Sequence, residues 1–302
     1  MNDSLPNLGK YNLKKGLKSL SETMKINGRE IFPVGMGTYR MGNHKRDEEQ
    51  EIQAIRAGLD ADAELIDTAE SYGNGKSERL VGKAIEGYDR DSLFLVSKVS
   101  PNNASKSQLP ISLNRSLKHL GVDYLDLYLL HWQGSVPEQE TVDVLEEMRA
   151  LGKIKAWGVS NYDTMDMKRL LALPGGEHCQ SNQVHYNVEH RGTDFDLMPF
   201  MREKKISVMA YSPIVQGHLD RLSDDATMVL NKIAKNHKAT LSQILIAWTI
   251  RDGNTVSIPK SSNPERMRQN IEAGHIQLTV EELTLIDQVF PEPTSKQKFS
   301  LW

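Results

Sequence analysis

The feature of this sequence that most constrains its fold is a regular alternation of short apolar runs with segments of helical periodicity. Eight apolar runs, each bounded by turn residues, are typical of β-strands. They cover residues 34–39, 65–69, 93–99, 125–130, 155–160, 181–186, 207–211 and 255–260. A helical pattern follows every run. Strands that are apolar almost throughout and are joined by helices indicate a parallel sheet with covered faces.

Eight strand–helix units predict a closed (β/α)8 TIM barrel, although the pattern alone leaves an open, doubly wound sheet as the alternative. Before the first unit, residues 24–31 form two short runs around Asn27 and Gly28, a pair that predicts a type I′ β-hairpin. Two further helical segments, 241–251 and 281–290, exceed one helix per strand. The predicted fold is therefore an α/β barrel with an N-terminal hairpin and two extra helices.

One domain is expected for residues 23–302, because no low-complexity linker or change of composition divides them. Residues 1–22 stand apart as an N-terminal extension that is expected to be loosely ordered. The single cysteine, Cys179, excludes an intrachain disulfide and favours a reducing compartment. A net charge of −3 argues against general binding to nucleic acid or anionic membranes. No apolar run approaches the roughly 20 residues that span a bilayer, so a cytoplasmic location is expected.

Polar residues interrupt the apolar pattern near the ends of three predicted strands. Asp67 lies in the second strand, Lys98 lies in the third, and His131 directly follows the fourth. Tyr72 lies in the loop after the second strand. In a barrel these positions share one rim, the rim at which the active sites of this fold lie. Because a lone buried charge is costly, Asp67 and Lys98 are expected to pair.

If these four side chains lie close together, they can act on the oxygen of one carbonyl group. Tyr72 can donate a proton to a carbonyl oxygen that gains negative charge, and a Lys98 cation beside it is expected to lower the pKa of the phenol. Asp67 would hold Lys98 charged and oriented, and His131 would hydrogen-bond the same carbonyl oxygen. For each residue alone the alternative is structural: a buried ion pair, a satisfied core histidine and an incidental tyrosine.

A candidate phosphate site follows the last predicted strand. No Gly-x-Gly-x-x-Gly occurs in the sequence, so a Rossmann dinucleotide site lacks its fingerprint. Instead, Asn263 and Pro264 predict the N-cap and first residue of a helix that is flanked by Lys260 and Arg266. A helix N-terminus with two cations suits a dianionic phosphate, although a capped surface helix with solvated charges is an equal alternative.

An ordered set of motifs resembles the aldo-keto reductase family. The motifs occur in the order and at the usual spacing of that family, over roughly residues 23–290. They are residues 37–40 (Gly-Thr-Tyr-Arg), 66–73 (Ile-Asp-Thr-Ala-Glu-Ser-Tyr-Gly), 97–98 (Ser-Lys), 120–132 (Leu-Gly-Val-Asp-Tyr-Leu-Asp-Leu-Tyr-Leu-Leu-His-Trp), 158–162 (Gly-Val-Ser-Asn-Tyr) and 258–261 (Ile-Pro-Lys-Ser).

The resemblance implies an NADP-dependent aldo-keto reductase whose barrel is capped at its base by the N-terminal hairpin, with NADPH extended across the top. Asp67, Tyr72, Lys98 and His131 match the catalytic tetrad of the family. Lys260, Ser261 and Arg266 match contacts to the 2′-phosphate. The full set of positions that match cofactor contacts is Thr38, Ser160, Asn161, Gln183, Tyr211, Ser212, Lys260, Ser261, Arg266, Gln269 and Asn270.

The expected function is the NADPH-dependent reduction of small aldehydes, ketones or dicarbonyls to alcohols, with Tyr72 as the proton donor. Tyr39 and Trp132 are the candidate substrate-binding residues, and the short connections 133–138 and 212–224 predict an open, shallow pocket. The alternative is a cofactor-sensing regulatory subunit on the same fold. No metal is expected, because clustered His and carboxylate ligands are missing. Apart from a small carbonyl substrate no partner is expected, and the chain should be a monomer or a weak oligomer.

Overall fold

The computed structural model describes residues 24–301, and over this range the chain forms ten β-strands and ten α-helices. The predicted extension, residues 1–22, lies outside the described residues. The strands are β1 (Met24–Ile26), β2 (Arg29–Ile31), β3 (Met36–Gly37), β4 (Leu65–Asp67), β5 (Phe94–Val99), β6 (Leu125–Leu130), β7 (Ile154–Ser160), β8 (Ser181–His185), β9 (Ser207–Tyr211) and β10 (Thr255–Ser257). The helices are α1 (Glu48–Leu59), α2 (Lys76–Ala84), α3 (Leu109–Leu120), α4 (Glu138–Ala150), α5 (Thr164–Leu171), α6 (Leu197–Lys204), α7 (Asp224–His237), α8 (Leu241–Thr249), α9 (Pro264–Glu272) and α10 (Val280–Val289).

Strands β3 to β10 form one parallel sheet in the order of the sequence, and this sheet closes on itself. Val34, just before β3, forms a parallel bridge with Ser257 at the end of β10, and the Gly35 amide donates to the Ser257 carbonyl at 2.8 Å. The closure needs a glycine at Gly37, because a Cβ there would lie 2.8 Å from the carbonyl oxygen of Ile258. The predicted (β/α)8 barrel is confirmed, and the open, doubly wound sheet is excluded.

The alternation of side chains along each strand decides which residues enter the barrel. Leu65 in β4 and Val96 in β5 belong to the apolar core inside the barrel. Two residues later in each strand, Asp67 and Lys98 therefore point to the same interior, where their side chains meet at 2.7 Å. The acid and the amine thus lie at the carboxyl end of the barrel, above an apolar floor.

The predicted type I′ hairpin is present and closes the opposite end. Asn27 and Gly28 both have positive φ angles, 50° and 76°, as this turn requires. The hairpin side chains Met24, Ile26 and Ile31 pack in the interior core with the first residues of β4 and β5. Because strands begin at this end, the hairpin covers the base of the barrel, and the carboxyl ends of the strands are left for chemistry.

The fold has two helices more than the eight that would follow the barrel strands, as predicted. The packing contacts show which two helices are extra. Helix α8 is buried along nearly its whole length and packs against β10 and α9. Helix α8 is therefore the barrel helix that follows β9. Its burial on all sides explains why its sequence is apolar almost all round. Helices α7 and α10 pack on each other. The extra helix before β10 is thus α7 and not the predicted segment 241–251, whereas α10 corresponds to the predicted segment 281–290.

Candidate active site

The four predicted catalytic side chains meet at the carboxyl end of the barrel. Lys98 Nζ donates to Asp67 Oδ2 at 2.7 Å and to the Tyr72 hydroxyl at 3.2 Å. The Tyr72 and His131 rings lie edge to face, with 5.7 Å between their centroids. The structure therefore brings all four residues into one cluster, with Lys98 joining the acid to the phenol.

Asp67 and Lys98 form a buried ion pair whose other hydrogen-bonding positions are also used. Lys98 Nζ makes a third donation to the Thr68 carbonyl at 2.9 Å, and Asp67 Oδ1 accepts from Gln183 Nε2 at 2.7 Å. Burial lowers the pKa of Lys98, and the charge of Asp67 opposes that shift. A buried pair persists when its remaining donors and acceptors have partners, as they have here. The predicted pairing is confirmed.

His131 follows β6 directly and is neutral in the physiological range. Burial and then the positive charge of Lys98 lower the pKa of His131 to about 2. Its Nδ1 lies 3.3 Å from the Ser71 hydroxyl. When Nδ1 accepts from Ser71, the single ring proton resides on Nε2. A neutral imidazole of this kind can donate one hydrogen bond without carrying charge.

The predicted direction of the Tyr72 pKa shift is wrong. Burial raises the pKa of the Tyr72 phenol well above its ordinary value, and the negative charge of Asp67 adds to the rise. Burial of the phenol is the largest cause and outweighs the lowering expected from the Lys98 cation, which is paired with Asp67 at 2.7 Å. Tyr72 therefore keeps its proton throughout the neutral range, which is the protonation state that a general acid needs.

Two aromatic side chains form an accessible rim beside this cluster. Tyr39 is 38% exposed, and its ring meets that of Tyr72 edge to face at 5.2 Å. Trp132 is 45% exposed, and its ring lies 4.6 Å from that of His131. Both predicted substrate residues thus flank the phenol and the imidazole, and they offer apolar surface to a small molecule at that point.

Five of the predicted cofactor residues meet around the ends of β7, β8 and β9. Four of them form a group that we call the polar shelf: Ser160, Asn161, Gln183 and Tyr211. The Tyr211 hydroxyl donates to Asn161 Oδ1 at 2.9 Å, and the Ser160 hydroxyl donates to the Gln183 carbonyl at 2.9 Å. Asn161 Nδ2 donates to the His131 carbonyl at 3.2 Å, which ties the shelf to the catalytic cluster. Asn161 holds a left-handed backbone (φ 63°), a conformation that concentrates at functional sites.

The fifth residue of this region, Ser212, follows β9, and its carbonyl accepts from Asn187 Nδ2 at 2.9 Å. Thr38 lies across the barrel and is fully buried. The Thr38 hydroxyl donates to the Asp67 carbonyl at 2.9 Å and accepts from Ser77 at 2.8 Å. The Thr38 hydroxyl is therefore used inside the protein, as are its backbone amide, which donates to the Asp67 carbonyl, and its carbonyl, which accepts from Ser77.

His185 supports Tyr211 from the side of β8. The two rings stack with centroids 5.3 Å apart and planes inclined by 3°. The Ser300 hydroxyl lies 2.8 Å from His185 Nδ1, so the C-terminal segment fixes the imidazole. Beside His185 a cavity of about 440 Å³ is lined by Asp163, His190 and residues 296–301, among others. The four catalytic candidates are not part of that lining.

The predicted phosphate residues gather at the start of α9. Asn263 Oδ1 accepts from the backbone amide of Arg266 at 2.9 Å, so Asn263 is the N-cap, as predicted. Desolvation lowers the pKa of Lys260, Glu51 opposes the shift, and the positive charges of Arg40 and Arg266 lower the pKa further. The positive charges of Lys260, Arg40 and Arg266 therefore interact with one another beside a helix N-terminus. That combination fits a dianionic phosphate.

The other predicted residues of this region lie on or next to α9. The Ser261 hydroxyl donates to the Asn263 carbonyl at 3.2 Å, in the turn that leads into the helix. Gln269 Nε2 donates to Glu265 Oε1 at 3.1 Å on the helix surface. Asn270 is buried on the inner side of the helix. Ser261 thus lies in the turn before the helix, whereas Gln269 and Asn270 lie on its outer and inner sides.

Four residues near the site were not among the predicted contacts: Ser71, Arg40, Glu51 and His185. Ser71 and Arg40 lie inside the recognised motifs, next to Tyr72 and Tyr39, so their neighbours could have pointed to them. Glu51 is part of an ordinary helical pattern. Its partners lie 9 and 211 residues away along the chain, and no local signal connects them.

The described residues give little support to a metal site, a cysteine nucleophile or a membrane-spanning helix. Within residues 24–301 no group of three or more His, Cys, Asp or Glu side chains converges as a metal site. Burial raises the pKa of the Cys179 thiol to about 12, so this cysteine is a poor nucleophile. Over the same range no helix is both long enough and apolar enough to cross a membrane.

Sequence comparisons show that this chain is similar to known reductases. A family model described as the aldo/keto reductase family matches residues 33–290. The chain is 42% identical over 263 residues to methylglyoxal reductase YeaE of Escherichia coli, a match that covers 87% of this chain and 92% of the relative. It is 33% identical over 272 residues to the glyoxal reductase of Bacillus subtilis, covering 89% and 93%.

Structural comparisons give the same result. The aldo/keto reductase of Klebsiella pneumoniae, crystallised with NADP and acetate, superimposes with a TM-score of 0.89 at 41% identity and covers 93% of this chain and 99% of that chain. An aldo-keto reductase of Bombyx mori in complex with NADP superimposes with a TM-score of 0.75 at 30% identity, covering 88% and 92%.

Proposed function

This chain belongs to the aldo/keto reductase family, and we propose that it reduces small aldehydes, ketones or dicarbonyls to alcohols with NADPH. The observation that carries the proposal is the hydrogen bond from Lys98 Nζ to the Tyr72 hydroxyl, within a cluster that Asp67 neutralises. A protonated phenol held by an ammonium group is equipped to lose a proton, because the cation stabilises the phenolate that results. An ion pair with a purely structural role would not require a phenol hydroxyl beside the ammonium group.

Bound NADPH supplies a hydride to the carbonyl carbon. The protein acts at the carbonyl oxygen: Tyr72 Oη gives its proton to that oxygen as negative charge develops there. His131 donates a hydrogen bond from Nε2 to the same oxygen and orients it. Lys98 stabilises the phenolate form of Tyr72, and a proton from solvent then restores the phenol.

Two parts of the structure fit the two ends of NADPH. The amide and hydroxyl groups of the polar shelf suit the carboxamide of nicotinamide, and the Tyr211 ring, held by His185, suits stacking with the flat pyridine ring. At the other end, Lys260 and Arg266 at the N-terminus of α9 suit the 2′-phosphate. NADP occurs in the crystal structures of the Klebsiella pneumoniae and Bombyx mori relatives, which supports this assignment.

We propose 2-oxoaldehydes as the substrate class. Methylglyoxal and glyoxal reductases are among the relatives of this chain. The exposed rings of Tyr39 and Trp132, beside Tyr72 and His131, offer apolar surface to a compact substrate. A cytoplasmic location, a single domain over residues 23–302 and a monomeric or weakly oligomeric state stay predictions. In the cofactor-sensing alternative, partner binding matters more than turnover, so efficient turnover of a carbonyl compound favours the reductase.

The function is tested by steady-state kinetics with methylglyoxal and either NADPH or NADH, for the wild type and Arg266→Ala. The wild type should turn over with NADPH. Arg266→Ala should raise the KM for NADPH by at least about tenfold, because a hydrogen bond to a charged group contributes about 1.5–3 kcal/mol. The KM for NADH should barely change, since NADH lacks the 2′-phosphate. The preference for NADPH should fall as salt rises, because screening acts over about 8–10 Å.

Arg268→Ala is the matched control, because Arg268 lies on the same helix and pairs with Glu265 at 2.9 Å on its surface. This control should leave the ratio of the two KM values almost unchanged. Equal losses with NADPH and NADH in Arg266→Ala would show that Arg266 supports the fold or the adenosine. The absence of NADPH oxidation with any carbonyl compound in the wild type would refute the proposed function.

A further inference from the structure

A buried carboxylate at the start of α1 joins the two loops that flank the proposed phosphate site. Glu51 Oε2 accepts from the backbone amide of Gly42 at 2.7 Å, in the connection between β3 and α1. Glu51 Oε1 accepts from the Ser262 hydroxyl at 3.0 Å, in the loop after β10. The neighbouring Gln50 donates to the Ser262 carbonyl at 2.9 Å. Helix α1 therefore holds the loop that carries Lys260.

The same hydroxyl connects Glu51 to Lys260. Lys260 Nζ donates to the Ser262 hydroxyl at 2.6 Å, and that hydroxyl in turn donates to Glu51. Glu51 and Asp47 are the acids whose charges act on Lys260, whereas Arg40 and Arg266 are the cations that do so. The Glu51 carboxylate thus balances part of the positive charge that a phosphate would meet at this position.

We propose that Glu51 is a specificity-determining residue with two opposed effects on a 2′-phosphorylated cofactor. Its hydrogen bonds hold the phosphate loop in place, which favours binding. Its negative charge competes with the phosphate for Lys260 and repels it, which limits binding. The inference rests on the proposed function, in which Lys260 and Arg266 bind the 2′-phosphate.

Two conservative substitutions separate the effects. Glu51→Gln keeps the length of the side chain: its oxygen can accept from the Gly42 amide while its amino group faces the Ser262 hydroxyl oxygen, and the charge is lost. Glu51→Asp keeps the charge but is shorter by one methylene, so it cannot reach both loops in the observed geometry. A purely structural role predicts that both variants weaken binding of the phosphate.

The experiment is calorimetric titration of the full chain with adenosine 2′,5′-bisphosphate and with 5′-AMP, which lacks the 2′-phosphate. The quantity compared is the ratio of the two Kd values, so that a general loss of folded protein cancels. Glu51→Gln should increase the preference for the bisphosphate by about three- to tenfold, the size expected for one partly screened charge. Glu51→Asp should decrease that preference. The gain in Glu51→Gln should shrink as salt rises.

An unchanged or reduced preference in Glu51→Gln would overturn the inference, as would loss of both ligands, because the charge would then support the loop. Failure of the proposed function has a different signature. If the wild type binds the bisphosphate no more tightly than 5′-AMP, the phosphate site itself is wrong and the inference falls with it. If the wild type has the preference and Glu51→Gln does not change it, only the role of Glu51 is wrong.

Discussion

Replacing Tyr72 with Phe is expected to lower kcat for methylglyoxal reduction by about 10²–10⁴-fold, the usual contribution of general acid catalysis. The substitution removes only the hydroxyl, so the ring contacts to Tyr39 and His131 are kept. Lys98 retains its bonds to Asp67 and to the Thr68 carbonyl, so the fold should be preserved. Steady-state kinetics measure the effect, and NADPH titration should show nearly unchanged affinity.

Tyr124→Phe is a suitable control, because the Tyr124 hydroxyl donates to Asp91 at 2.8 Å just before β6, at the end of the barrel opposite Tyr72. This variant also loses a phenolic hydroxyl, but far from the proposed chemistry, and it should keep its kcat. If Tyr72→Phe kept most of the wild-type activity, another group would have to donate the proton. The mechanism proposed here would then be wrong.

Asp67→Asn is expected to destabilise the protein by about 3–5 kcal/mol, the cost of breaking a buried ion pair on one side. The Lys98 ammonium would remain buried and would face an amide in place of a carboxylate at 2.7 Å. Gln183, which donates to the same carboxylate, could still bond to the Asn oxygen. The loss should therefore come mainly from the charge. Denaturant unfolding of wild type and variant measures it as a shift of the midpoint with an unchanged slope.

The double variant Asp67→Asn, Lys98→Met is the matched control for this explanation. It removes both charges, so its destabilisation should be smaller than the sum of the two single losses. Additive losses would indicate that the residues act independently. An unfolding midpoint for Asp67→Asn equal to that of the wild type would show that solvent, and not Lys98, compensates the carboxylate.

Much of this architecture follows from local pattern. Asp67 and Lys98 could be placed together because each interrupts an apolar strand, and parallel neighbouring strands deliver such residues to one rim. Asn27 and Gly28 predicted their turn because both positions need a positive φ. The N-cap Asn263 was also predictable from local sequence. In each case the physical cause acts over a few residues.

What could not be predicted depends on contacts between distant segments. The direction of the Tyr72 pKa shift is set mainly by burial of the phenol, which the sequence of one strand and its loop does not reveal. The role of α8 as a barrel helix depends on its packing against β10. Glu51 acquires its partners Gly42 and Ser262 only when the first and last strands close the barrel. Such features need the assembled fold.

We propose that this chain transfers a hydride from NADPH to a small carbonyl compound. The most direct measurement is mass spectrometry of the alcohol formed from methylglyoxal in the presence of NADPH that carries deuterium at both C4 positions. We expect one deuterium on the carbon that was the carbonyl carbon, and its oxygen should carry a proton that exchanges with solvent. An alcohol without deuterium on carbon, or no alcohol at all, would contradict the claim.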